Sequence, residues 1–484
     1  MSISGSLSNA ISGLSAASRA AEIVSSNVAN SLTDGYGRRD LELTSASLAG
    51  QGAGVRVSGV NRNIDQLAIA ERRLADADVG QISAQADFLR RLEATIGQPD
   101  DANSLTSRFA NLEATLIEAA SRPDSETRLA AVFVAADGLS DFINLASERT
   151  QDLRLDADRE IARQVDLLNV GLEQIATLNH QIRALTGAGQ DVSALMDQRQ
   201  QQVDRIASII PLREADRDHG QIALFTPGGA ILLDGKAAEI GFAPVGVIVP
   251  EMTIGSGALS GLSLNGNPLV AGAGSSLAGG SLAGQFLVRD ELAPSAQTRL
   301  DAVARDLIER FADNTVDPTL GPVDPGLFTD AGAIFSAINE TGLAGRLSIN
   351  ALVNPGSGGD LTKIRDGLGA VMPGDPGEAS GLLAQADALT NTRIPASGGF
   401  LGSSRSAMGL SGDLLSLVNS ELTTAETRQS FALAQADTLK SIELQSGVDT
   451  DHELQQLLLI EQAYSANARV ISTIDDMIKT LLGL

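Results

Sequence analysis

Apolar residues recur at heptad spacing through residues 448–484, and this pattern predicts one long helix. No glycine or proline falls between Gly447 and Gly483. Two series three residues apart define the apolar face: Leu457, Tyr464, Ile471 and Ile478, and then Ile460, Asn467, Ile474 and Leu481. Such a and d positions are typical of a helix that packs lengthwise against another helix.

A matching stripe runs through residues 3–30, where apolar residues alternate at spacings of four and three from Ile3 to Val28. The turn pair Asp34-Gly35 is expected to follow the end of this helix. Because both ends of the chain carry a narrow apolar stripe, we expect the two helices to pack together. The predicted contact, here called the terminal seam, consists of Leu7, Leu14, Ala21, Val24, Val28, Leu457, Ile460, Tyr464, Asn467, Ile471, Ile474, Ile478 and Leu481.

The middle of the chain changes its period twice. Residues 41–64 alternate as short strands, residues 65–212 are mostly helical, and after Pro211 the apolar period falls from 3.6 to 2. One helix is expected to start near Asp124 and Ser125. A separate seam from Ile161 to Ile182 contains Asn179, which either fixes helix register or makes a polar contact at a helix end. The composition of residues 271–285 predicts a flexible loop, and residues 347–353 predict a strand.

These patterns predict a mainly α fold with inserted β regions (α+β), built as a discontinuous multidomain rod. The first expected unit pairs residues 1–33 with 448–484 as a terminal coiled coil. The second is a helical bundle of residues 34–312 and 401–447, with a β-rich section at about 213–290. Residues 313–400, rich in glycine and proline, are expected to form a small mixed outer subdomain.

Composition limits the possible partners. The chain has 484 residues, a net charge of −25 and a pI near 4.4, and its arginine doublets are scattered among acids. These features argue against binding to nucleic acid or to an anionic membrane. The absence of cysteine excludes disulfides. The first residues have neither a basic region nor a continuous apolar core, so we expect either a cytosolic protein or export without a cleaved signal.

The sequence offers no convincing catalytic, cofactor-binding or metal site. His180, His219 and His452 are far apart, and the segment 451–455 lacks the second histidine of a zinc-protease motif. The aspartates of residues 76–80 and 216–220 lack the later glutamate of a calcium loop. The glycines at positions 50, 52 and 54 precede an apparent strand, whereas a phosphate loop would open a helix.

Both ends of the chain resemble the flagellar axial proteins, the family of rod, hook and hook-associated proteins. The N-terminal motif is Asn27-Val28-Ala29-Asn30 followed by Thr33-Asp34-Gly35-Tyr36, so Asn27, Asn30, Gly35 and Tyr36 match the family pattern. Asp34 replaces the family's proline and the spacing is one residue longer, which predicts a looser turn. Residues 461–482 resemble the C-terminal motif, and residues 121–133, 175–207 and 279–294 resemble the hook-associated members of the hook–filament junction.

The resemblance implies a structural protein without enzymatic activity, cofactor or metal. It would self-assemble through its terminal helices into the segment that joins hook to filament, after export by the flagellar type III route to the cell exterior. The implied partners are other copies of the chain, the hook protein, the second junction protein and an export chaperone. Alternatives are a hook or rod protein, a secreted adhesin or enzyme with its activity in residues 313–400, or a cytosolic coiled-coil scaffold.

Overall fold

The computed structural model describes residues 3–48, 51–98, 101–269, 275–400 and 402–483. It confirms a mainly α fold with small inserted antiparallel sheets. The helices are α1 (Ile3–Ala29), α2 (Gln66–Ile96), α3 (Leu105–Ala120), α4 (Glu126–Gly187), α5 (Ser193–Ala207), α6 (Gly280–Leu287), α7 (Ala293–Phe311), α8 (Thr362–Asp366), α9 (Ser380–Thr390), α10 (Ala407–Gln445) and α11 (Thr450–Leu482). A π-helical turn, Val288–Leu292, joins α6 to α7.

Short polar side chains begin several of these helices. Asp65 accepts hydrogen bonds from the first-turn amides of α2, and Ser104 and Ser406 do the same for α3 and α10. Asp449 accepts from the amides of Asp451 and His452 at the start of α11. Each cap satisfies donors that have no partner within the helix, so the sequence itself marks where these helices start.

The strands form four small antiparallel sheets. A long hairpin pairs β1 (Arg38–Leu48) with β2 (Gln51–Asn63). After α5, one sheet joins β3 (Arg213–Asp216), β4 (Ile222–Phe225), β5 (Ile231–Asp234) and β6 (Lys236–Ala237), and a second joins β7 (Ile240–Gly241), β8 (Ser263–Leu264) and β9 (Asn267–Pro268). The last pair is β10 (Phe328–Asp330) with β11 (Leu347–Ile349). The predicted strand at 347–353 is therefore shorter than expected, because residues 351–353 turn into a short 3₁₀ helix.

Helix α4 is a single element: the helix expected to start near Asp124 and Ser125 continues through the seam from Ile161 to Ile182, which was treated as separate. Its 62 residues extend over about 93 Å at the rise of an α-helix. Neither Gly138 nor Gly171 interrupts it, because helices on both sides pack against its faces. One stretch of α4 is apolar enough to cross a membrane by hydropathy alone. Val132 and Leu139 of this helix lie in a buried apolar core, whereas Val134 exposes 66% of its surface.

Helix α4 passes through two apolar cores. The first core gathers side chains from α2, α3, α4, α7, α9 and α10, and the second joins the later part of α4 to α5 and the β3–β6 sheet. Asn179 connects α4 to that sheet: its side-chain amide brackets Ile222, donating to the carbonyl at 2.8 Å and accepting from the amide at 3.2 Å. It also accepts from Arg199 at 2.9 Å. The residue thus anchors a strand to a helix.

Residues 313–400 have no core of their own, which corrects the prediction of an outer subdomain. Phe328, Leu347, Ile364 and Leu382 are all buried in the first core. Phe328 makes an edge-to-face contact with Phe311 of α7, with ring centroids 5.0 Å apart. Glycine and proline turns allow this segment to bring its few large apolar side chains onto the helices. The prediction of a flexible loop was also wrong for residues 280–285, which belong to α6, while 271–274 lie outside the described residues.

Candidate assembly site

Helices α1 and α11 pack along each other as an antiparallel pair. Asn27 of α1 lies against Glu453 of α11, and Gly13 lies against Asn467. Moving fourteen residues back along α1 therefore means moving fourteen residues forward along α11. These two contacts fix both the direction and the register of the pair.

Most residues of the predicted terminal seam face inward. Val24 and Ile474 are buried, and Leu7, Leu14, Ala21, Val28, Leu457, Ile460, Asn467, Ile471 and Ile478 are partly buried. Tyr464 and Leu481 differ, with exposed fractions of 45% and 73%. In the observed register Tyr464 lies opposite the small side chains near Ala16, which cannot cover its ring. In the same register Leu481 lies beyond Ile3, the first described residue of α1, so no described residue of α1 lies opposite it.

Gly13 has a packing role in this pair. A Cβ atom at this position would lie 2.8 Å from Nδ2 of Asn467, closer than van der Waals contact allows. The asparagine donates to the carbonyl of Ala463 in its own helix at 2.9 Å. The glycine therefore provides the space in which the one polar residue of the heptad sits, and this layer favours a single register.

Asn27 forms the centre of a buried polar cluster at the other end of the pair. Its Oδ1 accepts from Oη of Tyr36 at 2.9 Å and from the amide of Arg39 at 3.0 Å. Its Nδ2 donates to the carbonyl of Arg39 at 2.9 Å and to Oε2 of Glu453 at 3.0 Å. All four hydrogen bonds that an asparagine side chain can make are thus present. The cluster ties α1, the turn, β1 and α11 together.

Glu453 and Arg38 complete this cluster, and the sequence had not singled them out. Nε of Arg38 donates to Oε1 of Glu453 at 2.7 Å, and the glutamate is fully buried. The family motif gives a signal for Asn27 and Tyr36, but an acid in the first turn of α11 looks like an ordinary helix-start residue. Its partner could have been found only by knowing the register of the two helices.

The remaining motif residues shape the turn between α1 and β1. Asn30 donates to the carbonyl of Ser26 at 2.9 Å near the helix end. Gly35 has φ of +78°, and the amide of Tyr36 donates to the carbonyl of Thr33 at 3.1 Å. These are features of a type II turn, which accepts many residues at the position that Asp34 holds. The Tyr36–Thr33 hydrogen bond closes the turn with Asp34 in the position of the family's proline.

A second apolar stripe on α11 faces solvent. Its members alternate at spacings of four and three, like those of the seam, and all are exposed: Leu459, Ala463, Ala466, Val470, Thr473 and Met477. We call these residues the outer stripe. Leu459, Val470 and Met477 expose 65%, 44% and 52% of their surface. The helix therefore presents one apolar face to α1 and another to solvent.

No group of histidine, aspartate or glutamate side chains within the described residues could hold a metal ion. Asp76 and Asp78, weighed above as part of a calcium loop, both lie within α2, and Asp76 pairs with Arg72 at 2.7 Å. Gly52 and Gly54 lie within strand β2, and Gly54 packs against Ser12 of α1. Gly50 lies outside the described residues.

Comparison with known proteins agrees with this architecture at three places. Residues 89–316 match the family described as the helical domain of flagellar hook-associated protein FlgK. Residues 7–36 match the flagella basal body rod protein family, and residues 444–484 match the C-terminal family of the flagellar basal body rod FlgEFG protein. Together the three matches cover more than half of the chain. All three matched families are named for flagellar proteins.

Two flagellar hook-associated proteins share about a quarter of their aligned residues with the chain. Flagellar hook-associated protein 1 of Escherichia coli (strain K12) is 27% identical over 240 residues, which are 48% of this chain and 44% of that protein. The Salmonella typhimurium protein of the same name is 28% identical over 283 residues, 53% of this chain and 50% of that protein. The chain thus spans about half the length of these relatives. The solved flagellar hook junction protein FlgK from Burkholderia pseudomallei aligns with a TM-score of 0.44 and 20% identity over 54% of this chain and 47% of that one.

Proposed function

We propose that the chain is a structural subunit of the bacterial flagellum that forms the junction between hook and filament. It would assemble with other copies of itself through its paired terminal helices. The observation that carries this proposal is the two-sided apolar character of α11. Most of its seam residues are at least partly buried, whereas the outer stripe is exposed to solvent. A helix with a second exposed heptad stripe is suited to pack against a further helix, which a neighbouring subunit would supply.

The match of the interior favours a junction protein over a hook or rod protein. The terminal matches are to rod-type families, but residues 89–316 match a helical domain of a hook-associated protein. Partners in this proposal are the hook protein, the second junction protein and an export chaperone, and export would need no cleaved signal. The proposed role requires no catalysis. Residues 313–400, the section considered for an adhesin or enzyme, contribute side chains to the shared core.

We also propose that different parts of the chain have different roles in the flagellum. Helices α1 and α11 form the assembly unit, and the two-core body built around α4 forms the outer part of the subunit. The body begins with α2 and ends with α10, which pack against each other. This arrangement lets the two ends of the chain return to one place.

Deletion of the gene tests the function. The expected result is cells that carry hooks without filaments and that shed monomeric flagellin into the medium, seen by electron microscopy and by assay of the medium. Loss of the hook itself would instead support a hook or rod protein. Intact, motile flagella in the deletion strain would contradict a role in the flagellum.

A further inference from the structure

The boundary between the assembly unit and the body contains no apolar core. Within the described residues, neither of the two buried apolar clusters includes a side chain from α1, the β1–β2 hairpin or α11. The chain itself crosses the boundary twice, between β2 and α2 and between α10 and α11. Two such connections alone would leave the unit free to rotate against the body, so other contacts must decide its angle.

One carboxylate of the body accepts hydrogen bonds from three donors at the base of the hairpin. Asp197 of α5 accepts from Nε of Arg62 at 2.7 Å and from the amide of Gly37 at 3.0 Å through Oδ1. Its Oδ2 accepts from Nη2 of Arg39 at 2.7 Å. These three donors come from the turn, β1 and β2. Asp197 is buried, so both charge pairs are shielded from water.

The same contact continues into the two helices that form the end of the body. Arg62 donates to the side chain of Gln200, which in turn donates to Glu443 of α10 at 3.4 Å. Glu443 pairs with Arg72 of α2. The polar network thus runs from the hairpin through α5 to both helices that lead into the assembly unit.

Two glycines of the turn allow it to sit directly on this network. A Cβ at Gly37 would lie 2.4 Å from Nε of Arg62, and one at Gly35 would lie 2.8 Å from Cγ of Gln201. Gln201 also donates to the carbonyl of Asp34 at 2.8 Å. The turn is therefore packed onto α5 with little room for adjustment.

We infer that Asp197 is an ionic clasp that holds the terminal helix pair at one fixed angle to the body. Without its charge, Arg39 and Arg62 would face each other at the hairpin base with no shared carboxylate between them. Charge repulsion and two unpaired donors would then open the joint while each side kept its own fold. This inference concerns the isolated chain and does not depend on the proposed function.

Distance measurement between the two parts tests the clasp. Because the chain has no cysteine, spin labels can be placed on Gln455→Cys in α11 and Gln174→Cys in α4, both at exposed positions. Pulsed electron resonance would be recorded for the full chain with and without Asp197→Asn. We expect a narrow distance distribution for the parent and a clearly broadened one for the Asn variant.

Asp306→Asn is the matched control. Asp306 is also a buried carboxylate and pairs with Arg310 at 2.6 Å, but it lies inside the body. It should leave the distribution narrow even if it lowers the melting temperature. A narrow distribution for Asp197→Asn, or a broad one for the parent, would overturn the inference. If Asp197→Asn fails to fold by circular dichroism, Arg39→Gln in the same assay decides the question, because it removes one arm of the clasp and keeps the carboxylate.

Discussion

At the scale of single residues, buried polar side chains connect segments that lie far apart in the sequence. Glu453 pairs with Arg38 and Asn27, more than four hundred positions earlier. Within the body, both oxygens of Asp301 accept backbone or amide donors, and Arg154 and Arg289 are among the largest fully buried side chains. Such groups gain little net energy from their bonds but are costly to leave unpaired, so they select one arrangement of the chain.

Glu453→Gln should loosen the contact of α11 with α1. The substitution keeps the size of the side chain but leaves Arg38 with only the more exposed Asp40 as a charge partner, at 2.9 Å. Breaking a buried charge pair costs up to about 3–5 kcal/mol. We expect hydrogen exchange in residues 3–29 and 450–482 to become roughly a hundredfold faster or more, with the melting of the body unchanged. Glu461→Gln, at an exposed position of the same helix, is the control. The prediction would be contradicted if residues 3–29 and 450–482 exchanged as fast in the parent as in the Glu453→Gln variant.

Asp301 holds the loop before β11 against α7. Oδ2 accepts from the amide of Gly342 at 2.8 Å, and Oδ1 accepts from the amide of Ala344 and from Nε2 of Gln297, each at 2.8 Å. Burial raises the pKa of Asp301 from an ordinary 3.8 to about 6, and these hydrogen bonds oppose the rise only in part. The carboxyl is therefore easier to protonate in the folded chain than in the unfolded chain.

Asp301→Asn should destabilise the body by about 1–3 kcal/mol at pH 7, because the new NH₂ group must face a donor. Since the pKa of Asp301 is higher when folded, the parent binds more protons in the folded state between about pH 4 and 6 and gains stability as the pH falls through 6. The Asn variant lacks this gain, so the difference in free energy of unfolding should widen from pH 7 to pH 5. Urea denaturation at the two pH values measures it. A narrowing difference would mean that the pKa of Asp301 is lowered instead.

At the scale of elements, the sequence predicts helices that have a periodic apolar pattern, but it does not predict polar pairs between distant segments. The heptad positions of α11 and the alternating stripe of α1 come from local spacing, so both helices could be predicted. Glu453, Arg38 and Asp197 carry no periodic signal, because their partners are set by how distant segments meet. Helix α4 was divided wrongly because the pattern changes from one core to the next, although the backbone continues.

Ile474→Asp should separate α1 from α11 within one chain. Ile474 is buried in the seam, and an unpaired charge there costs several kcal/mol. We expect α1 to lose protection from hydrogen exchange while the body keeps its melting temperature. Ser472→Asp introduces the same charge at an exposed position of the same turn and should change neither. Unchanged protection of α1 in the Ile474 variant would show that the seam is not where the structure has it.

Replacing each of two glycines of α4 with alanine should change the stability of the chain in opposite directions. A Cβ at Gly171 would lie 2.6 Å from Cγ2 of Ile206, a buried and rotationally restricted side chain. Gly171→Ala should therefore cost about 1–3 kcal/mol through overpacking. At Gly138 the nearest atom is Nη1 of Arg108 at 3.4 Å. Gly138→Ala should be neutral or stabilising by up to about 1 kcal/mol, since alanine favours helix. Urea denaturation compares the two, and equal effects would contradict the close contact of α4 with α5.

At the scale of the whole molecule, polar contacts join the terminal helix pair and its hairpin to a two-core body. The sequence predicted the fold class and the pairing of the two ends, because both follow from periodicity. It did not predict that residues 313–400 join the first core, because the apolar residues of this segment are scattered between turns and have no regular spacing. Phe328 and Leu382 show the reason: each is buried against helices from other parts of the chain.

The central proposal, that the chain assembles through its terminal helices, rests on the exposed outer stripe of α11. Val470→Asp places a charge on this stripe and leaves the seam intact, so the single chain should remain folded and exported. In a deletion strain, we expect this variant to give hooks without filaments, whereas Ser472→Asp restores filaments. Electron microscopy of the two complemented strains measures the outcome. Normal filaments with the Val470 variant would contradict assembly through this face of α11.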